Sequence, residues 1–218
     1  MLEKEEEEIK EINLNVIILG DNDVGKSSLV QIIKNGKSKE NDNSLVDKNE
    51  NFIIKAKYEK EKKVILLHLK EPEHQKIYDG NIPKQYILDS HIVLLVFSDI
   101  KTLNYLKDKL YTFYKENANI ENSRFILIGN KSDTFGEDRD EIIKQGNKFA
   151  EEIDAVFLTC SAKSSDNIDN LQRFIITEAK RFINEEKKNK NNINENRSIS
   201  ISAQNNPNGR RKPKCCNK

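Results

Sequence analysis

Eight consecutive residues, Gly20-Asp21-Asn22-Asp23-Val24-Gly25-Lys26-Ser27, place two glycines, a lysine and a hydroxyl in the spacing G-x-x-x-x-G-K-S/T. Polyphosphate chemistry requires these residue types in this order. Glycine lets the main chain close around phosphate oxygens. The N–H groups from Asp23 through Ser28, at the start of a helix, favour negative charge. Lys26 reaches the β- and γ-phosphates as a point charge, and the Ser27 hydroxyl is a ligand suited to Mg²⁺. Two further segments can read a base. In Asn130-Lys131-Ser132-Asp133, the Asp133 carboxylate can accept both the N1–H and the exocyclic amine of guanine, a donor pair that adenine lacks. A buried carboxylate left unpaired discriminates strongly. The Lys131 stem can lie over the ring. In Ser161-Ala162-Lys163, an N–H near Ala162 can meet the guanine O6.

These segments need strands and helices to hold them. Leu14–Leu19 reads as a short buried strand and Lys26–Lys34 as a helix, so the phosphate loop lies in a strand-loop-helix context. Residues 35–51 are polar and read as a loop. Phe52–Tyr58 and Lys63–Leu69 read as a β-hairpin around Glu59–Lys62. The continuous apolar run Ile92–Phe97 predicts a strand buried on both faces. Leu103–Tyr114, Glu141–Ile153 and Ile168–Ile183 carry helical spacing, and Phe125–Ile128 and Ala155–Leu158 are short strands. The alternation implies βαβ units and an α/β fold with a mostly parallel sheet. From Asn189 onward Asn, Ser and Lys dominate, and a disordered tail is expected. The expected organisation is a charged extension at 1–12, one domain at 13–187 and a tail at 188–218.

Composition narrows the classes. The chain has 218 residues, 33% charged and 36% apolar, which is enough for one core. The longest apolar run has six residues, against about 20 for a membrane span. Three cysteines cannot frame a disulfide scaffold, so a reducing compartment is expected. Residues 1–186 carry 28 Lys and Arg against 35 Asp and Glu, whereas residues 187–218 carry nine basic residues and only Glu195. An acidic body with a basic tail argues against nucleic acid as a partner and permits an anionic surface as one. His68, His74 and His91 lack metal-ligand spacing, and Cys160, beside a strand, is expected to be buried and inert.

The phosphate loop, Asn130–Asp133 and Ser161–Lys163, in that order and spacing, resemble the small GTPase domain of the Ras superfamily over residues 14–185. Phe157–Lys163 resembles the Rab branch. The resemblance implies six strands, mostly parallel, with five helices on both faces, GTP or GDP binding with Mg²⁺, and a monomer. It also implies exchange factors, GTPase-activating proteins and effectors in vesicle traffic. A non-hydrolysing scaffold that binds nucleotide and recruits partners at a membrane is the alternative.

Departures from the family pattern bear on catalysis. The family carries Asp-x-x-Gly after its third strand, followed by a Gln that positions the attacking water. Aligned on Lys63–Leu69, the Asp position is Leu69, the Gly position is Pro72 and the Gln position is Glu73. Proline donates no N–H. Gln75 takes the Gln role if the loop slips by two residues. Losing one such donor costs about 10²–10³ in rate, so slow or absent hydrolysis is expected. No Thr lies between Lys26 and Phe52. Ser44 is the candidate for the first switch loop's magnesium ligand, with Ser38 second. Asp23 stands where the family keeps a small residue, and its charge beside the β-phosphate is expected to weaken affinity.

The ending Arg210-Arg211-Lys212-Pro213-Lys214-Cys215-Cys216-Asn217-Lys218 resembles the Rab double-cysteine ending. Geranylgeranylation of Cys215 and Cys216 by prenyltransferase machinery is implied, and two lipid chains anchor stably. The basic run adds about 1 kcal/mol per cation near anionic lipid. The expected location is the cytoplasmic face of an intracellular membrane, with a cytosolic pool. Leu2 follows Met1, so N-myristoylation is not expected.

Overall fold

A computed structural model of the chain describes residues 10–35, 52–58, 63–72, 87–118, 120 and 123–204. Six strands form one sheet in the order β2-β3-β1-β4-β5-β6. They are β1 (Lys10–Gly20), β2 (Phe52–Tyr58), β3 (Lys63–Lys70), β4 (Ile92–Phe97), β5 (Arg124–Gly129) and β6 (Val156–Thr159). Five of them run parallel, and β2 is the antiparallel edge, paired Phe52↔Leu69 through Tyr58↔Lys63. The α/β sheet and the hairpin pairing agree with the sequence expectation. Strand β1 starts four residues earlier than its apolar run, because pairing with β3 begins at Lys10↔Lys63. Backbone pairing, not hydrophobicity, extends it through Lys10, Glu11 and Asn13.

The helices are α1 (Lys26–Asn35), α2 (Ile100–Tyr105), α3 (Thr112–Asn117), α4 (Arg139–Glu152) and α5 (Ile168–Gln204). A π-helical turn, Leu106–Tyr111, joins α2 to α3. The sequence pattern expects one regular helix with Phe113 inward. The wider turn shifts the phase, so Tyr114 takes the fully buried position and Phe113 is only partly covered. Tyr114 is tolerated there because its hydroxyl lies 2.7 Å from Ser90 Oγ and 2.8 Å from Ser123 Oγ. Asp99 starts α2 as a reciprocal cap: Thr102 N–H donates to its carboxylate at 2.8 Å, and Asp99 N–H donates to Thr102 Oγ1 at 3.0 Å.

One core cluster joins Ile17, Leu19, Val93, Leu95, Phe97, Phe125 and Leu127 of the sheet to Leu103, Leu106 and Leu110, and to Ile142 and Phe149 of α4. The alternate residues Val16, Ile18, Leu94, Ile126 and Ile128 are buried as well. Period-two alternation puts them on the opposite face. Every residue of β4 is buried, as expected for a central parallel strand. On α1 and α5, Leu29, Ile33, Leu171 and Ile175 are buried, and Gln172 Nε2 donates to the Ile33 carbonyl at 2.9 Å.

The compact body ends at Phe182, and a second unit begins at Ile183. Where the composition suggests disorder from Asn189, the backbone is helical to Gln204. Residues 168–204 contain no Pro or Gly to stop a helix. No helix among the described residues is long and apolar enough to cross a membrane.

Candidate functional site

The phosphate loop connects the C-terminal end of β1 to the N-terminus of α1, at the edge where the parallel strands end. Ligands in open α/β sheets bind at this edge. Two positions show why glycine is required. A Cβ at Gly20 would overlap the Val96 carbonyl oxygen, because β1 and β4 approach closely as the loop leaves the sheet. Gly25 has φ +87°, and a Cβ there would overlap the Asn130 side-chain amide. Asp23 has φ 57°, a left-handed conformation that Asp adopts more readily than most residues. It is exposed, as are Ser27 and Ser28, whereas Val24 is fully buried.

Lys26 is 6% exposed, and its ammonium donates to the Asp21 carbonyl at 2.7 Å. Burial lowers its pKa, while the negative charges of Glu71, Asp21 and Asp23 oppose that shift. Ser27 Oγ donates to Glu71 Oε1 at 2.7 Å. A cavity of about 600 Å³ is lined by Asn22, Asp23, Lys26, Ser27, Glu71 and Pro72.

The Glu71 contact corrects the alignment of the third strand. Leu69, set at the Asp position from sequence, is a strand residue paired with Val16 and Phe52, and its side chain is buried. The carboxylate beside Ser27 belongs to Glu71, two residues on, past the end of β3. Sequence reasoning stopped the strand one residue early and asked only for Asp. An acid next to Pro, immediately after an apolar strand, was the available signal. Pro72 lines the cavity and is buried. Glu73 and Gln75, the two catalytic candidates, lie outside the described residues, as do Ser38, Ser44, Cys215 and Cys216.

Asn130 ties the phosphate loop to the base-reading segments. Its backbone N–H donates to the Phe97 carbonyl at 2.8 Å. Its side-chain Nδ2 donates to the Val24 carbonyl at 2.7 Å. Its Oδ1 accepts the Ala162 N–H at 3.1 Å, with Cys160 Sγ 3.8 Å away. The residue is 1% exposed, and no buried side-chain polar atom among the described residues lacks a partner. The sequence reading gives the Ala162 N–H to a guanine O6. In the structure that N–H is donated to Asn130, so a base oxygen must compete for it.

Asp133 sits on a short 3₁₀ turn, Ser132–Thr134, entered through Lys131 in the left-handed conformation at φ 60°. Its carboxylate is exposed and accepts from Ser161 Oγ at 2.6 Å. That bond holds the Asp133 pKa below its ordinary value, with Lys163 and Lys131 adding to the effect. The Ser132 N–H donates to the Cys160 carbonyl at 3.0 Å, which joins the two base-reading segments. A second cavity, about 340 Å³, is lined by Gly25, Ser28, Asn130, Lys131, Asp133, Ala162 and Lys163. Gly25, Ser28 and Lys131 line both cavities, so the carboxylate that can read a base and the loop that can hold phosphates share one continuous wall. Cys160 is fully buried, and burial pushes its thiol up to about 12, which makes it inert as expected.

Residues 15–181 match the family model described as the Ras family. The chain is 28% identical over 173 residues to the Ras-like protein rasC of Dictyostelium discoideum, covering 78% of this chain and 87% of that protein. It is 30% identical over 160 residues to the Ras-related protein SEC4 of Saccharomyces cerevisiae, covering 72% and 71% respectively. It is 27% identical over 158 residues to the Ras-like protein 1 of the same yeast, 71% of this chain but only 48% of that longer protein. The family match spans the sheet, the phosphate loop and both base-reading segments, and the chain therefore belongs to the Ras family of small GTPases.

Proposed function

We propose that the chain is a guanine-nucleotide switch of the Rab type with weak intrinsic GTP hydrolysis, acting in vesicle traffic at the cytoplasmic face of an intracellular membrane. The observation that carries the nucleotide reading is the Asn130 junction. One side chain holds the phosphate loop at Val24 and the Ser161–Lys163 segment at Ala162, beside a carboxylate already oriented by Ser161. Lys26 then binds the phosphates, Asp133 reads the guanine N1–H and amine, and the Lys131 stem covers the ring.

Ser27 Oγ and Glu71 Oε1 are hard oxygen donors 2.7 Å apart, which suits a hexacoordinate Mg²⁺ with ligands at about 2.0–2.1 Å. When bound, the ion neutralises phosphate charge. Slow hydrolysis is supported by His74, which stands where the family keeps Gly once Glu71 takes the acid position, and by the absence of Thr from residues 27–51. Exchange factors, GTPase-activating proteins and effectors are the expected partners, and lipidated Cys215 and Cys216 with the basic tail the membrane tether.

The test is single-turnover chromatography of nucleotide retained by the full chain after loading with GTP and Mg²⁺. Bound GTP that persists for hours and is converted only on addition of cell extract is the expected result. Fast conversion by the protein alone refutes weak hydrolysis, and failure to retain GTP while retaining ATP refutes the base assignment. The binding-only scaffold is favoured instead if cell extract leaves GTP unchanged.

A further inference from the structure

We infer that the groove between α2 and α4 docks an acidic segment of a partner protein, one that carries an apolar side chain between its carboxylates, and does so in either nucleotide state. The inference stands apart from the guanine-nucleotide reading, because the groove shares no lining residue with the two cavities of that site.

The groove has a volume of about 310 Å³, and the buried side chains of Leu103 and Phe149 form its floor. Lys107, Lys144 and Lys148 line it with a single acid, Glu141. That acid is already engaged, by the Gln145 amide at 2.8 Å and by Lys144 at 3.7 Å. Lys107 lies over the Phe149 ring, 5.4 Å from its centroid, and bridges at 2.8 Å to Glu152, which is outside the lining. Lys148 is exposed and makes no ion pair among the described residues. Three cations against one acid stand out on a body whose residues 1–186 carry 28 Lys and Arg against 35 Asp and Glu. Such a local excess of positive charge selects an anionic occupant.

The backbone is shaped to this groove. Leu103, Lys107 and Tyr111 follow one another at spacing i, i+4; the first two line the cavity, and Tyr111 packs edge-on against Phe149 at 5.6 Å. A regular helix of about 3.6 residues per turn carries such positions progressively round its axis. The π turn Leu106–Tyr111 takes up the excess and keeps all three toward α4. It contains no Pro or Gly that would account for the irregularity. On α4, Lys144 and Lys148 lie one turn apart, about 6 Å along the axis. A partner helix with Glu at i and i+4 repeats that spacing, and a Leu at i+3 meets the apolar floor. Exposed ion pairs are individually weak and screened by salt, so burial of the apolar side chain supplies part of the affinity. Neither α2, the π turn nor α4 carries a residue that lines the nucleotide cavities, so the occupant meets the same surface with GDP or GTP bound.

The experiment follows, by fluorescence anisotropy, a fluorescein-labelled helical peptide of Glu, Ala and Leu with Glu at i and i+4 and Leu at i+3. The full chain is loaded with GDP and Mg²⁺ or with a non-hydrolysable GTP analogue. The expected result is saturable binding with the same Kd in both states, lost when Gln replaces Glu in the peptide. Lys144→Glu and Lys148→Glu should each weaken it roughly fivefold or more. Lys101→Glu makes the same charge change at an exposed position of α2 outside the groove and should leave the Kd unchanged. Melting temperatures establish that the three variants are folded. Absence of binding overturns the inference. Binding that survives both groove variants belongs to the basic tail, and equal loss in Lys101→Glu reports net charge alone; either result overturns it as well. A Kd that differs between the two nucleotide states overturns the placement of the surface apart from the nucleotide site. If the chain retains no nucleotide, the same titration on the nucleotide-free protein still tests the groove, so the two readings fail separately.

Discussion

Replacing Asn130 by Ala should destabilise the chain in the absence of any nucleotide, and the size of the effect can be worked from its bonds. The side chain satisfies the Val24 carbonyl at 2.7 Å and the Ala162 N–H at 3.1 Å. Val24 is fully buried, so its carbonyl cannot turn to water. Leaving one buried backbone group unsatisfied costs about 1–3 kcal/mol. Ala162 is half-buried, and water can replace part of what its N–H loses. About 2 kcal/mol is therefore expected, which lowers the melting temperature of a domain this size by roughly 4–8 °C. Nothing nearby can fill the space, because Gly25 has no Cβ pointing at the amide and its φ of +87° disfavours one.

Thermal and urea unfolding of the nucleotide-free chain provide the assay, and a companion variant isolates the cause. Asn130→Asp has nearly the same volume and can still accept from Ala162, but at neutral pH it sets a carboxylate against the Val24 carbonyl. It should be at least as unstable as Asn130→Ala at pH 7, and should recover as the pH falls and the protonated acid donates to Val24. A loss below about 0.5 kcal/mol for Asn130→Ala, or no recovery of Asn130→Asp in acid, would refute the claim that this residue pins the phosphate loop.

Ser161→Ala removes the bond that depresses the Asp133 pKa. A depressed carboxylate stays ionised to lower pH, so guanine nucleotide affinity in the wild type should persist as the pH is lowered. In the variant the fall should begin at a higher pH, read by fluorescent nucleotide titration between pH 4 and pH 7, and superimposable profiles would contradict the role given to Ser161. Cys160, with its thiol pushed up to about 12, should escape alkylation by iodoacetamide at pH 8 in the folded chain and react fully in denaturant. Peptide mass mapping distinguishes it from Cys215 and Cys216, and rapid native labelling at Cys160 would show that the junction behind Asn130 is open.

The parts of the site that depend on backbone approach were legible from residue types. Gly20 and Gly25 sit where a Cβ would strike another part of the chain, Asn130 is an amide because both its donor and its acceptor are used, and Lys26 is buried at the start of a helix. The pattern of apolar runs located all six strands and the main helices, because burial on the sheet leaves a period that survives in sequence. What the pattern missed was governed by pairing and phase. The first four residues of β1 are polar in part and are held by main-chain bonds to β3. The π turn at Leu106–Tyr111 moves one buried position by a residue without changing the local composition. The helix beyond Asn189 has little apolar content to announce it and nothing in its sequence that forbids it.

The misplacement of the acid after β3 is the most consequential of these, because it changes what the chain can do. An alignment that demands Asp places Leu69 at the cation site, and the site then lacks any carboxylate. The register Val16↔Leu69 keeps Leu69 inside the sheet, and the first residue free to leave it is Glu71. Glu has one more methylene than Asp, so its carboxylate reaches the Ser27 hydroxyl directly at 2.7 Å. That reach places the group where a cation held by Ser27 can use it. The same two-residue shift moves the Gly position from Pro72 to His74, and the expected water-positioning residue from Glu73, whose charge opposes phosphate, to Gln75, which has none. Slow hydrolysis then rests on His74, where the family keeps Gly, and on the first switch loop rather than on a missing acid. Converting His74 to Gly should therefore raise the hydrolysis rate by itself, without Leu69→Asp, and if only the Leu69→Asp variant gains activity, the register read from the structure is wrong.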